Sequence, residues 1–252
     1  MTGFNPRLFD SLVEFERHSF WFVNRARLLT SLIARYFPAA QDMLEIGCGT
    51  GSVLLALRER FPTLRLSGSE LHPQGLAYAR KRLGDEVLLL QMDARRIPAT
   101  GQFDVIGAFD VIEHIPEDED VLSEIQTALR PGGGAIIAVP QHPNLWSPAD
   151  DAAFHQRRYA RGELEQKLHK AGFEVLHSTS FNTFLLPLMI LSRRQMIWKE
   201  RKGARLDPLS EFRMKDWLNR TLSVILGAEV HLTEAGVKWP VGGSRVVVAR
   251  RL

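Results

Sequence analysis

Cysteine is nearly missing from this chain. Of 252 residues only Cys48 is a cysteine, so no intrachain disulfide can form and a reducing, cytoplasmic setting is expected. Long apolar runs are missing too. The longest, Phe184 to Leu191, contains Pro187 and falls far short of the ~20 residues that cross a bilayer. Residues Met1 to Asp10 lack a basic stretch followed by an apolar core, so no secretory leader is expected. There is no zinc-type spacing, no internal repeat and no low-complexity tract, and no metal is expected. The acids Glu117, Asp118, Glu119 and Asp120 read as the first turn of a helix, where the dipole favours them. Charge imbalance is small as well, a net +3, which gives little reason to expect a nucleic-acid partner.

Apolar residues, by contrast, make up 45% of the chain, enough for one α/β domain with an insertion or a small cap. The charge is unevenly placed. Residues 151–252 hold 18 basic and 10 acidic side chains, against 14 and 19 in residues 1–150. The basic part can face an anionic substrate or a membrane surface, or be an ordinary solvated face.

The organising stretch is Asp42 to Gly51, D-M-L-E-I-G-C-G-T-G. A short apolar run, Met43 to Ile46, breaks into glycines at 47, 49 and 51, and Ser52 to Arg60 follows with helical spacing. Strand, glycine turn and helix open a βαβ unit. Its glycines let backbone approach a ligand, and the helix start offers N–H groups to an anion. Three further strands alternate with helices: Arg65 to Glu70 before helix Pro73 to Leu83, then Val87 to Gln91, then Phe103 to Phe109 before helix Glu117 to Leu129. Leu129-Arg-Pro-Gly-Gly-Gly134 reads as a turn into strand Ala135 to Val139, and Pro140 to Pro148 as an irregular loop. Helix Arg161 to Ala171, strand Phe173 to Thr179 and a last strand, Ser244 to Arg250, complete the sheet. Glu70 ends the second strand roughly 20 residues after the glycine turn, where an acid is placed to hold a ribose.

The glycine spacing is E-x-G-x-G-x-G, not the G-x-G-x-x-G of dinucleotide binders. It resembles motif I of the class I S-adenosylmethionine-dependent methyltransferases, and most closely the small-molecule O- or C-methyltransferases of the ubiquinone-biosynthesis type. M-D-A at 92–94, F-D-V-I-E-H at 109–114 and L-R-P-G-G-G at 129–134 resemble later motifs of the same family. The resemblance implies a Rossmann-like seven-stranded sheet in the order 3-2-1-4-5-7-6 and S-adenosylmethionine as cofactor. It places Glu45, Gly47, Cys48, Gly49 and Gly51 in the loop around the cofactor. Glu70 and Leu71 would meet the ribose, Met92, Asp93 and Ala94 the adenine, and Phe109, Asp110 and Val111 the sulfonium. Glu70 stands where many members carry Asp; the chemistry is the same. A helical lid is implied over 1–40, with Arg25 reaching the cofactor's carboxylate.

Candidates for the acceptor are fewer. His114 is the one base of near-neutral pKa in the strand-four motif and could take a proton from a hydroxyl, though a packing role is the stronger reading. His142, His155, Arg157, Arg158 and Tyr159 lie after strand five, where loops carry substrate contacts. The arginine pair can grip a phosphate or carboxylate, or else fix the loop to its helix.

The layout is therefore a lid at 1–40, a methyltransferase core at 41–183, a helical insertion at 184–240 and a last core strand at 241–252. The insertion begins apolar and turns basic at Arg193, Arg194, Lys199, Arg201, Lys202 and Arg205, then shows one apolar helical face at Met214 to Leu226. It can cap the site, touch a membrane peripherally through 184–226, or join two copies in a homodimer. The expected acceptor is a small molecule or lipid-linked compound, without nucleic acid. The alternatives are a cofactor-binding module without catalysis and a nucleic-acid methyltransferase.

Overall fold

The computed structural model describes residues 4–204 and 213–252; Arg205 lies outside them. Seven strands form one sheet: β1 (Asp42–Ile46), β2 (Arg65–Glu70), β3 (Leu88–Gln91), β4 (Phe103–Phe109), β5 (Leu129–Pro140), β6 (Phe173–Phe181) and β7 (Ser244–Arg251). Their order is β3-β2-β1-β4-β5-β7-β6. The first five run parallel, and β7 is antiparallel to both β5 and β6. The order is the one that the motifs imply.

Helices cover both faces, as buried parallel strands require. The described helices are α1 (Phe9–Glu16), α2 (Phe20–Tyr36), α3 (Ser52–Arg60), α4 (Pro73–Leu83), α5 (Asp118–Ala128), α6 (Pro148–Ala153), α7 (Glu163–Lys170), α8 (Leu186–Arg201) and α9 (Asp216–Glu234). One core lies between the sheet and α2, α3, α4 and α9, around Leu29, Leu54, Met43 and Val230. The other lies between the sheet and α5 and α7, around Ile106, Ile125, Ile137 and Leu168. No helix among the described residues is long and apolar enough to cross a membrane.

Local detail is added to these readings. The lid implied over 1–40 holds two α-helices, α1 and α2, parted where Ser19 turns extended. The glycine-rich 129–134 segment belongs to β5, with Leu129 paired to Phe103 and Gly134 to Val105 across a bulge. Glycine is needed there because a Cβ at Gly134 would stand 1.9 Å from the Phe37 ring. The loop expected after β5 ends at Pro148, where α6 begins, its start closed by a capping box between Ser147 and Asp150.

The insertion joins the N-terminal helices instead of standing apart. The Phe20 N–H donates to Asn219 Oδ1 at 2.8 Å, and Asn219 Nδ2 donates to the carbonyl of His18 at 2.7 Å. Asn24 Nδ2 donates to the carbonyls of Phe20 and Ser223. α9 thus caps the start of α2, supplying partners for helix-end groups that lack them.

Candidate active site

Beyond the C-terminal ends of β1, β2 and β4 opens a cavity of about 520 Å³, within the usual range for small-ligand sites. Its floor is the glycine turn. Gly47, Gly49 and Gly51 all take positive φ, at +62°, +54° and +77°. A Cβ on Gly47 would lie 2.5 Å from Val111, so the turn can rest against the end of β4 only as glycine. The next turn is pinned by Cys48, whose N–H donates to the Ser69 carbonyl at 2.8 Å.

Carboxylates ring this floor. Glu70 accepts the Gly49 N–H at 3.1 Å and the His72 N–H at 2.9 Å, one on each oxygen. Burial pushes its carboxyl above the ordinary range, while those two donors pull the other way. Glu45 is 3% exposed, and burial pushes it up to about 8. Its Oε2 has no hydrogen-bond partner among the described residues. Asp93 is held low chiefly by Arg95, which donates from Nη2 at 2.7 Å. Asp110 sits at φ +57° and pairs with Arg25, whose guanidinium also lies 5.0 Å over the Trp21 ring.

Gly47, Cys48, Gly49, Glu45, Glu70, Leu71, Met92, Asp93, Ala94, Phe109, Asp110, Val111, Arg25 and His114 all line this cavity. Gly51 does not line it; its φ begins α3, and a Cβ there would meet Leu83 at 2.8 Å. Arg25 reaches the cavity but spends its charge on Asp110.

The five expected acceptor contacts divide. His155 and Arg158 line the cavity. Tyr159 is fully buried and donates its hydroxyl to Asp118 at 2.6 Å. Arg157 turns to Asp118 and the carbonyl of Pro116. Both side chains fasten the 155–159 stretch to the start of α5, and neither lines the cavity. His142 sits at φ +66° behind the wall, its N–H bonded to the Tyr159 carbonyl.

His114 is buried, and burial pushes its imidazole down to about 3, helped by the neighbouring His155. A base that weak at neutral pH contributes little to proton removal. The sequence reading missed Glu16, Arg95 and Glu113, all in the cavity wall. Glu16 carries no local motif. It latches α1 to the glycine loop by accepting from Thr50 and, at 2.8 Å, from Arg82. Phe4, Phe9, Phe20, Trp21 and Phe22 supply an apolar wall, and α8 closes another with Leu188, Met189 and Arg193.

A model of a methyltransferase domain family matches residues 17–178, which is well over half of the chain and spans every strand of this floor. The chain belongs to that family. It carries a class I methyltransferase domain, whose cofactor is S-adenosylmethionine. Trans-aconitate 2-methyltransferase of Variovorax paradoxus is 32% identical over 143 residues, 56% of this chain and 52% of that protein. Demethylmenaquinone methyltransferase of Thermus thermophilus is 32% identical over 103 residues, 39% and 47% of the two chains. The chain spans about half the length of these curated relatives. Phosphoethanolamine N-methyltransferase 2 of Haemonchus contortus, solved with S-adenosylmethionine, matches with a TM-score of 0.59 at 21% identity, covering 89% of this chain and 52% of that one; it shares the fold. Relatives with such different acceptors carry membership to the class and no further.

The site of this methyltransferase fits the cofactor. The glycine cradle leaves no room for side chains at 47. Glu45 Oε2, Ser69 Oγ and His72 Nε2 are buried without hydrogen-bond partners among the described residues, an unusual density of unpaired polar atoms beside one loop. Glu70, at the end of β2, and Asp93, just past β3, are carboxylates of the same wall.

Proposed function

We propose that this chain transfers a methyl group to the oxygen or carbon of a small, partly apolar acceptor. One observation carries the reading: the glycine cradle and an apolar annex share a single cavity. The annex is walled by Phe22, Leu188, Met189, Met214 and Leu222, and Leu188 is also 54% exposed. The cavity thus opens beside apolar surface, which suits an acceptor with a hydrocarbon or isoprenoid part.

S-adenosylmethionine supplies a methyl on a positively charged sulfur that leaves readily. The residues here have to hold, orient and dry the pair. Glu70 would hold the ribose and Asp93 the adenine, with Met92 and Ala94 flanking the ring. Asp110, kept in place by Arg25, would face the cofactor's aminoacyl end. The aromatic wall from Phe4 to Phe22 excludes water. Such positioning alone supplies several kcal/mol of the barrier reduction, consistent with the feeble basicity of His114.

Calorimetry with S-adenosylmethionine and S-adenosylhomocysteine tests the cofactor half. Incubation with fractionated small-molecule and lipid extracts, read as a 14 Da mass gain of one component, tests the acceptor half. Cofactor binding without turnover in any fraction would favour a binding module instead.

A further inference from the structure

We propose that Glu113, His114 and His155 form a divalent-cation site in the cavity wall, with Mn²⁺, Co²⁺ or Zn²⁺ as its natural occupants. Glu113 and His114 occupy the short 3-10 turn after β4, Ile112–His114. His155 arrives from the segment after α6. One ligand atom from each of the three lies within 4.8 Å of the others. Around a cation with bonds near 2.1 Å, ligands stand at most ~4.2 Å apart, so closure needs side-chain movements of about 1 Å. Two imidazoles and one carboxylate suit borderline transition cations better than Mg²⁺ or Ca²⁺.

Two independent observations point to a ligand. Glu113 is completely buried, and both of its carboxylate oxygens lack a hydrogen-bond partner among the described residues. A buried carboxylate is ordinarily paired or bound to metal. His114 Nδ1 is buried and unpartnered in the same way. The second observation is the support behind His155. Its Nδ1 lies 2.9 Å from Asp150 Oδ1, which directs the ring's proton to the carboxylate and leaves Nε2 as the free donor of a lone pair. A carboxylate behind the histidine is the arrangement that orients metal ligands.

The support is rigid. Asp150 also accepts from Arg158 Nε at 2.7 Å and from both the N–H and Oγ of Ser147. The Gln156 N–H donates to the carbonyl of Glu113 at 2.7 Å, clamping the segment that bears His155 to the turn that bears the other two. Phe154, at φ +64°, makes the reversal that brings His155 inward. All three ligand residues line the cavity, so open coordination positions would face an acceptor's oxygens.

The test uses chelator-treated full-length protein, titrated with MnCl₂ and followed by the electron paramagnetic resonance of free Mn²⁺. CoCl₂ absorption in the visible region and ZnCl₂ calorimetry are read in parallel. Expected is one stoichiometric site, weakened by at least about 100-fold in Glu113→Gln and in His155→Ala, and by about 10- to 100-fold in Asp150→Asn. His177→Leu, a buried histidine elsewhere, should bind as the parent does. S-adenosylhomocysteine calorimetry on each variant certifies the fold and keeps the two readings apart. Absence of stoichiometric binding of all three cations, or binding unchanged in both Glu113→Gln and His155→Ala, overturns the site while leaving the cofactor assignment standing.

Discussion

The N–H of Gly49 donates to the Glu70 carboxylate at 3.1 Å, so the acid that ends β2 also ties down the glycine turn that ends β1. The two strands are neighbours in the sheet, and the bond fixes the distance between the two halves of the cofactor floor.

Glu70→Gln should therefore weaken cofactor binding more than it weakens the fold. A glutamine has only one acceptor oxygen, yet Gly49 and His72 both present N–H groups. Its amide must face one donor with another. Hydrogen bonds to a charged acceptor contribute ~1.5–3 kcal/mol, so affinity for S-adenosylhomocysteine should fall about 10- to 100-fold by calorimetry. The burial that pushes Glu70 up means that removing the charge relieves some desolvation, and the melting temperature should move little. A variant binding within about threefold of the parent would take Glu70 out of the cofactor site.

Gly47→Ala tests the cradle itself. The new methyl would meet Val111 at 2.5 Å, at a φ of +62°. Overpacking costs ~1–3 kcal/mol and the left-handed backbone ~1–2 kcal/mol for alanine. A loss of about 2–5 kcal/mol in urea unfolding is expected. Val111→Ala in the same chain should recover the packing part and leave the backbone part, so the double variant should regain about half. Full recovery would mean that the backbone carries no strain at Gly47.

The strand-end residues were legible because their motifs are local. Glu70 follows its glycine turn at a set distance, and Asp93 and Asp110 sit two residues and one residue past their strands. The sheet order followed from the family resemblance those motifs carry. What stayed hidden was contact between distant segments. Nothing near Arg25 announces Asp110, 85 positions on, and nothing near Asn219 announces the start of α2. Tyr159 and Arg157 look polar and available in the sequence, yet Asp118 takes both. Glu113 was passed over because an acid beside a histidine reads as ordinary surface until burial is known.

Tyr159→Phe separates support from substrate contact. The lost bond is buried, 2.6 Å from hydroxyl to Asp118, but Asp118 keeps Lys167 at 2.5 Å and Arg157 at 2.8 Å. About 1–2 kcal/mol of stability should go, the scale of a single hydrogen bond with a charged partner. Cofactor affinity should stay within about twofold. A large fall in turnover with stability unchanged would return Tyr159 to the substrate side.

His177 gives the chain a pH-dependent stability remote from the cavity. It is 3% exposed in β6, packed at a tilt against Tyr36 with ring centroids 5.5 Å apart, and neither ring nitrogen has a hydrogen-bond partner among the described residues. Burial pushes it down to about 4, with Lys238, Arg35 and Arg245 adding repulsion. The unfolded chain, titrating near 6.5, binds a proton that the folded chain refuses. Stability is thus full above about pH 6.5 and falls as pH drops toward 4. By pH 5 the loss from this residue alone should be about 2 kcal/mol. His177→Leu removes the titration without removing a hydrogen bond. Urea midpoints at pH 7 and pH 5 should show the parent losing about 2 kcal/mol more than the variant across that interval. Equal losses in the two proteins would mean that His177 accepts its proton in the folded state as readily as in the unfolded one.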